Sequence, residues 1–209
     1  MKIIRASAEI INHTANLEQV IELAGRTCYK SEDKITKDSA SDFIERIKNF
    51  KHESVLEHGS ITVRFIVDRG VSHELVRHRL ASFSQESTRY CNYGKDKFGN
   101  EITFIWPCWV TGDIDVSFAL ATYWGEAWAK AEEAYLSLLE RGWTPQQARC
   151  VLPNSLKTEV IMTANPREWR HVFRVRCAKE AHPQMREVMV PLMADFVIEW
   201  PALFGDLAP

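Results

Sequence analysis

Arg77-His78-Arg79-Leu80-Ala81-Ser82-Phe83-Ser84-Gln85-Glu86-Ser87-Thr88-Arg89-Tyr90 is the stretch from which the rest of the chain is read. Its fourteen residues hold three arginines, one histidine, four Ser or Thr hydroxyls, a glutamine and a glutamate. A guanidinium offers paired, permanently charged donors that suit phosphate and carboxylate. Hydroxyl and amide groups add donors and acceptors able to read the edge of a polar ring. The stretch therefore reads as a binding surface for an anionic, hydrogen-bonding ligand such as a nucleotide.

The body that carries it is ordinary. At 209 residues, 45% hydrophobic and 26% charged, the chain is expected to form a single domain over residues 1–209. A net charge of −2 argues against generic nucleic-acid or anionic-membrane binding, so the arginine run is a local site on a near-neutral protein. The five cysteines (Cys28, Cys91, Cys108, Cys150, Cys177) are scattered, odd in number and never in a Cys-x-x-Cys pair, as expected of reduced thiols. No signal-like segment opens the chain and no 18-residue apolar run occurs in it, so a cytoplasmic location is expected.

Outward from that stretch, Ser60–Asp68 alternates cleanly, with Ile61, Val63, Phe65 and Val67 on one face, and predicts a half-buried strand. Val71–Ala81 reads as a helix with Ser72 as a candidate N-cap. Upstream, a strand is expected over Lys2–Ile10, then a short helix opened by Asn16 and ended by Gly25, then a helix over Asp38–Lys51. Downstream, Glu101–Trp106 reads as a short strand and Asp115–Arg141 as a long helix stopped by Gly142. Thr144-Pro145-Gln146-Gln147 is a capping box that starts a helix ending near Pro153. Thr158–Thr163 reads as a strand, Asn165-Pro166-Arg167-Glu168 opens another helix, and Pro183–Trp200 is a last one, expected to kink at Pro191. The irregular alternation favours an α+β fold.

Several devices are absent from the sequence: no G-x-G-x-x-G and no P-loop. His52 and His58 lie six apart, His73 and His78 five apart, so neither pair meets the i, i+4 zinc spacing and no metal site is expected. On a helix Arg77, His78 and Arg79 would step by about 100° each, so at least one must point into protein, a ligand or a neighbouring subunit. In the helix after Asn165, Trp169, Val172 and Phe173 share one face, Arg167, Arg170, His171 and Arg174 lie opposite, and Arg176 falls within the apolar face. A charge placed there is costly unless it is paired or binds an anion. Arg149 sits likewise among Ala148, Cys150, Val151 and Leu152.

Arg77-His78-Arg79 followed by Ser87-x-Arg89 closely resembles the signature of the flavin-dependent thymidylate synthases. His52-Glu53-Ser54-Val55-Leu56-Glu57-His58 resembles the family's His-Glu-[Ser/Thr]-x-x-Glu-His, Ala148-Arg149-Cys150-Val151-Leu152-Pro153 its Ala-Arg-x-x-Leu-Pro, and Asn165-Pro166-Arg167 with Arg176 its late Asn-x-Arg…Arg stretch. These pieces stand in the family's order.

The resemblance implies an α+β domain with a central, mostly antiparallel sheet flanked by helices, assembled as a homotetramer with sites shared between subunits. It implies methylation of dUMP to dTMP, with methylenetetrahydrofolate as carbon donor, NADPH as reductant and FAD as hydride carrier. It implies FAD contacts at Ser54, Arg77, His78, Arg79, Gln85, Asn165, Pro166, Arg167 and His171. For dUMP it implies Glu74, Leu75, Val76, Arg77, Gln85, Glu86, Ser87, Thr88, Arg89, Arg149 and Arg176, with Arg176 favouring ionisation of the uracil N3. No cysteine nucleophile and no nucleic-acid or membrane partner is implied. Ser84-Gln85 stands where many members carry Asn-Glu, Glu74 replaces a common Gln, and His171 a common Asn. A non-catalytic nucleotide- or RNA-binding module and a related flavin-dependent nucleotide methylase are the alternatives.

Overall fold

The apolar alternation of Ile61, Val63, Phe65 and Val67 does become the buried face of a strand, β3 (Ile61–Asp68), and all four side chains are fully buried. The computed structural model describes residues 1–110 and 122–207. β3 lies in a four-stranded antiparallel sheet with β2 (Ser7–His13), β6 (Lys157–Ala164) and β4 (Ser82–Gln85), in the order β2-β3-β6-β4. β1 (Lys2–Ile4) pairs instead with β5 (Thr103–Ile105), in parallel, with Ile3 opposite Phe104. The expected strand over Lys2–Ile10 is thus two strands committed to two sheets, with a break at Arg5-Ala6. The fold is α+β.

Contacts gather in two units. The first comprises Met1–Ser7, Phe65–Arg77 and Ser84–Val160, and the second Ala8–Arg64, His78–Phe83 and Ile161–Pro209.

In the first unit a core of Ile3, Tyr93, Ile102, Phe104, Trp106, Trp128, Tyr135 and Leu156 is buried, with the Phe104 and Trp128 rings stacked 5.2 Å apart. Asp68 caps α3 (Arg69–Leu75) by accepting from the Val71 amide at 2.7 Å. The cap is Asp68, not Ser72; Ser72 is buried inside the first turns, and the helix stops at Leu75. Arg77, His78 and Arg79 therefore lie beyond the helix, in turns. α4 (Tyr123–Glu140) starts after Thr122, whose hydroxyl accepts from the Gly125 amide; the part of its expected span before 122 lies outside the described residues. Gln147 Oε1 accepts from the Thr144 amide at 2.9 Å, as the capping box at α5 (Pro145–Ala148) predicts.

In the second unit α1 (Leu17–Thr27) runs through Gly25, where the sequence suggested it would end. Gly25 serves packing: a Cβ there would lie 2.4 Å from Phe43 Cζ on α2 (Ser39–Asn49). Asn16 precedes α1 in the left-handed region (φ 51°) and makes no side-chain cap. Asn165 accepts from the Glu168 amide at 2.8 Å and opens α6 (Pro166–Arg176) with Pro166 at its first position, as expected. α6 buries Trp169 and Phe173 against Phe196 of α7 (Pro183–Glu199), a single helix across Pro191, and α8 (Pro201–Phe204) adds Phe204. Trp169 satisfies its indole N–H on the Ile61 carbonyl at 3.0 Å.

Candidate active site

In the second unit α6 carries the chemistry. Its start is fixed by the Asn165 cap, so Glu168, His171 and Arg176 follow at helical spacing. His78, from the turn after Arg77, is buried beside them, while Arg77 and Arg79 are exposed. One member of the Arg-His-Arg triplet does point inward, as the helical stepping required, but it is His78 and it does so from a turn. His78 Nε2 accepts from Arg176 Nε at 2.9 Å. That bond assigns the remaining proton to Nδ1, which faces Glu168 Oε1 at 3.5 Å. The His171 ring meets the His78 ring edge-on at 5.8 Å.

Burial first, then the neighbouring charges of Arg176 and His171, lower the His78 pKa to about 4. His78 is therefore neutral at physiological pH, an imidazole that accepts from one side and donates from the other. Burial raises the Glu168 carboxyl above the ordinary range. Ligand-capable atoms of His78, Glu168 and His171 lie within 4.8 Å of one another, a grouping that pairwise spacing in the sequence could not reveal. The Arg176 guanidinium on His78 opposes a further cation there.

Arg176 is half-buried and holds His78, which gives a concrete reason for a charge on the apolar side of α6. Arg170 departs from its expected place: it is buried, only 2% exposed, rather than on a solvated face. It donates to the Leu203 carbonyl and to both Asp206 oxygens, at 2.7 and 2.5 Å to the carboxylate. The His52–His58 motif has a role that the sequence did not disclose. Its Glu57 pairs with Arg167 at 2.5 Å, and its Glu53 lies 3.9 Å from both Arg167 and Arg174. Ser54 between them is exposed.

In the first unit the segment Gln85–Arg89 is tied down residue by residue. Gln85 donates from Nε2 to Ser72 Oγ at 2.9 Å and to Thr158 Oγ1 at 3.3 Å, which turns its amide oxygen away from both. Glu86 accepts from the Tyr93 hydroxyl at 2.8 Å and from Lys157 Nζ at 2.9 Å. Burial alone would lower the Lys157 pKa, but its bonds to Glu159 and Glu86 outweigh that and raise it. Burial, then Glu86, pushes the Tyr93 phenol far up, so it stays a donor. Thr88 is buried and accepts from Arg149 Nη1 at 3.2 Å. Arg89 donates from Nε to Gln146 Oε1 at 2.7 Å and keeps an exposed guanidinium. Arg149 is exposed rather than packed in an apolar helix; it begins a 3-10 turn directly after α5. Leu75 is fully buried, whereas Glu74 is half-buried and Val76 exposed. Tyr93 and Lys157, which hold Glu86, escaped the sequence reading because neither lies in a quoted motif.

The family model described as thymidylate synthase complementing protein matches residues 9–202. The chain belongs to the flavin-dependent thymidylate synthase family. It is 33% identical to the flavin-dependent thymidylate synthase of Geobacter sulfurreducens, over 96% of this chain and 86% of that one. The flavin-dependent thymidylate synthase of Pyrococcus abyssi is 30% identical over 93% of this chain and 83% of its own. Among solved structures, the UMP/dUMP methylase PolB of Streptomyces cacaoi bound with 5-Br dUMP superposes with a TM-score of 0.78 at 24% identity, covering 98% of this chain and 96% of that one. Thymidylate synthase X of Helicobacter pylori with FAD and dUMP gives 0.75 at 23%, covering 97% and 99%. At those identities the two structures speak for the fold. In the second unit of this flavin-dependent thymidylate synthase family member, the exposed guanidiniums of Arg79 and Arg167 and the neutral imidazole of His78 are donor chemistry that fits an anionic cofactor such as a flavin.

Proposed function

We propose that this chain methylates dUMP to dTMP, with methylenetetrahydrofolate as carbon donor and NADPH as reductant. FAD, when bound, supplies the hydride carrier. The observation that carries this reading is the anchored segment Gln85–Arg89, whose flanking cations Arg89 and Arg149 are each fixed by a partner, Gln146 and Thr88. Fixed cations of this kind suit the phosphate of a nucleotide, and the held amide of Gln85 suits its base. Ser54, Arg77, His78, Arg79, Gln85, Asn165, Pro166, Arg167 and His171 would hold FAD. Glu74, Leu75, Val76, Arg77, Gln85, Glu86, Ser87, Thr88, Arg89, Arg149 and Arg176 would line the dUMP site. Arg176 would favour ionisation of the uracil N3, since a fixed positive charge stabilises a nearby developing anion.

A single domain is supported by the chain path, which passes between the two contact units after Ser7, Arg64, Arg77, Phe83 and Val160. A homotetramer would cover exposed apolar side chains such as Leu80, Tyr90, Tyr123 and Ile198. A cytoplasmic location accords with the scattered free thiols; among the described residues no helix is long and apolar enough to cross a membrane. The test is spectroscopic. Protein reconstituted with FAD should be yellow, and dUMP should perturb its flavin bands. A protein that stays colourless, and whose nucleotide binding fades steeply with salt, would favour a plain nucleotide- or RNA-binding module.

A further inference from the structure

Ser72, which the sequence alone offers as a helix cap, is fully buried in the first unit, and Thr158 on β6 is 1% exposed. Buried hydroxyls need partners, and the partners of these two settle the direction of a third side chain. Ser72 donates its hydroxyl to the Arg69 carbonyl at 2.9 Å, so toward any other group its oxygen can only accept. Thr158 Oγ1 accepts from Arg69 Nη1 at 3.4 Å, and the same nitrogen reaches the Glu86 carbonyl at 3.3 Å. Gln85, the last residue of β4, meets the Ser72 and Thr158 oxygens at 2.9 and 3.3 Å. Its NH2 satisfies both. The flipped amide would set Oε1 against Ser72 Oγ, whose proton is already given to Arg69. Gln85 Oε1 is thus turned away from both hydroxyls, and among the described residues it accepts no protein hydrogen bond.

An amide held this way presents an acceptor and nothing else. We propose that Ser72 and Thr158 are positioning residues that act through Gln85, committing its Oε1 to the imide N–H that uracil and the flavin ring share. This rests on the reading above that dUMP and FAD are the ligands. An amide free to turn would offer NH2 as readily as oxygen, and a cytosine ring, whose N3 carries no proton, would then suit it as well. A carboxylate in place of Gln85 would need no such hold, since both its oxygens accept, but it would set a negative charge beside an anionic nucleotide. Glutamine fixed by two buried hydroxyls supplies the acceptor without the charge.

Two measurements test it. The Ser72→Ala/Thr158→Val variant removes both hydroxyls with little change of shape and frees the amide. If the uracil edge is the one read, the preference of FAD-loaded protein for dUMP over dCMP, followed by perturbation of the flavin bands, should fall roughly tenfold or more. If the flavin edge is read, FAD affinity should fall by that factor and the nucleotide preference should hold. In either case adding Gln85→Glu to the double variant should restore what was lost, because a carboxylate accepts whichever way it turns. Equal weakening of both nucleotides, no change in either quantity, or no rescue by Glu overturns the proposal. The second measurement needs no ligand and no buried substitution. In wild-type protein the side-chain NH2 protons of Gln85, assigned by their loss in Gln85→Glu, should exchange with water about tenfold more slowly than those of the exposed Gln19. Equal exchange overturns the proposal. If wild-type protein binds neither FAD nor dUMP, the functional reading fails; slow Gln85 exchange then upholds the hold on the amide, and fast exchange overturns it.

Discussion

Arg176 donates its Nε–H to His78 Nε2 across 2.9 Å, joining the last turn of α6 to the middle of the Arg-His-Arg triplet. The bond takes the imidazole lone pair and sets a positive charge against it. Protonation of His78 would cost that hydrogen bond and add a second cation in a buried place, so the ring is held neutral and in one tautomer. The residue proposed to contact flavin and the residue proposed to face substrate thus fix each other.

This makes stability depend on pH in a definite window. The folded pKa of about 4 lies below the ordinary 6.5, so the unfolded chain binds the His78 proton more readily. The His78 contribution is fully present above pH 6.5 and is lost as pH falls toward 4, by roughly 2–3 kcal/mol. Urea unfolding at pH 7 and pH 4.5 should show that loss, and His78→Gln should flatten it. An equally steep loss in the variant would assign the pH dependence elsewhere.

Replacing Arg176 by alanine should cut turnover by roughly 100-fold or more, the scale of losing a charge aimed at a developing anion. The flavin should stay bound. The His78 pKa should rise in the variant, because the second cause of its depression is gone, and NMR titration of the imidazole reads this directly. Loss of the folded state instead would make Arg176 a structural arginine.

Arg149→Lys should raise the KM for dUMP about tenfold with little change in kcat, since an ammonium keeps the charge and loses the fork. The hydrogen bond to Thr88 shows the guanidinium already oriented. An unchanged KM would remove Arg149 from the dUMP site.

Asp206→Ala should lower stability by about 1–3 kcal/mol without altering ligand affinity, because it strips the partner from Arg170, which is 2% exposed. Arg170, then Lys48, holds the Asp206 carboxyl well below the usual range despite burial. This contribution is present above the ordinary carboxylate pKa and is lost only in strong acid, below the His78 window. A fall in stability of the same size at both pH 7 and pH 2 would contradict it.

What the sequence disclosed and what it concealed divide along physical lines. The alternation of β3 and the caps at Thr144 and Asn165 are local patterns, and local backbone chemistry settled them. The helix after β3 was misplaced because Asp68, counted as the last residue of the strand, is also the cap, and Ser72 turns to Arg69 and Gln85 instead. Arg170 sat on the polar side of a helical wheel, yet Asp206, 36 positions away, makes its burial tolerable. Gly25 looked like a helix end because nothing in the sequence announces the Phe43 ring against it. At the site, the signature residues were legible through resemblance, while their supports Tyr93, Lys157 and Glu168 depend on tertiary contacts.

The most direct measurement of the central claim is product analysis after incubating FAD-loaded protein with dUMP, NADPH and methylenetetrahydrofolate carrying an isotopically labelled methylene carbon. The account predicts dTMP with the label in its 5-methyl group, and none when NADPH or folate is left out. Unlabelled dUMP recovered intact from a flavin-loaded, folded protein would contradict it, as would methylation of UMP in preference to dUMP.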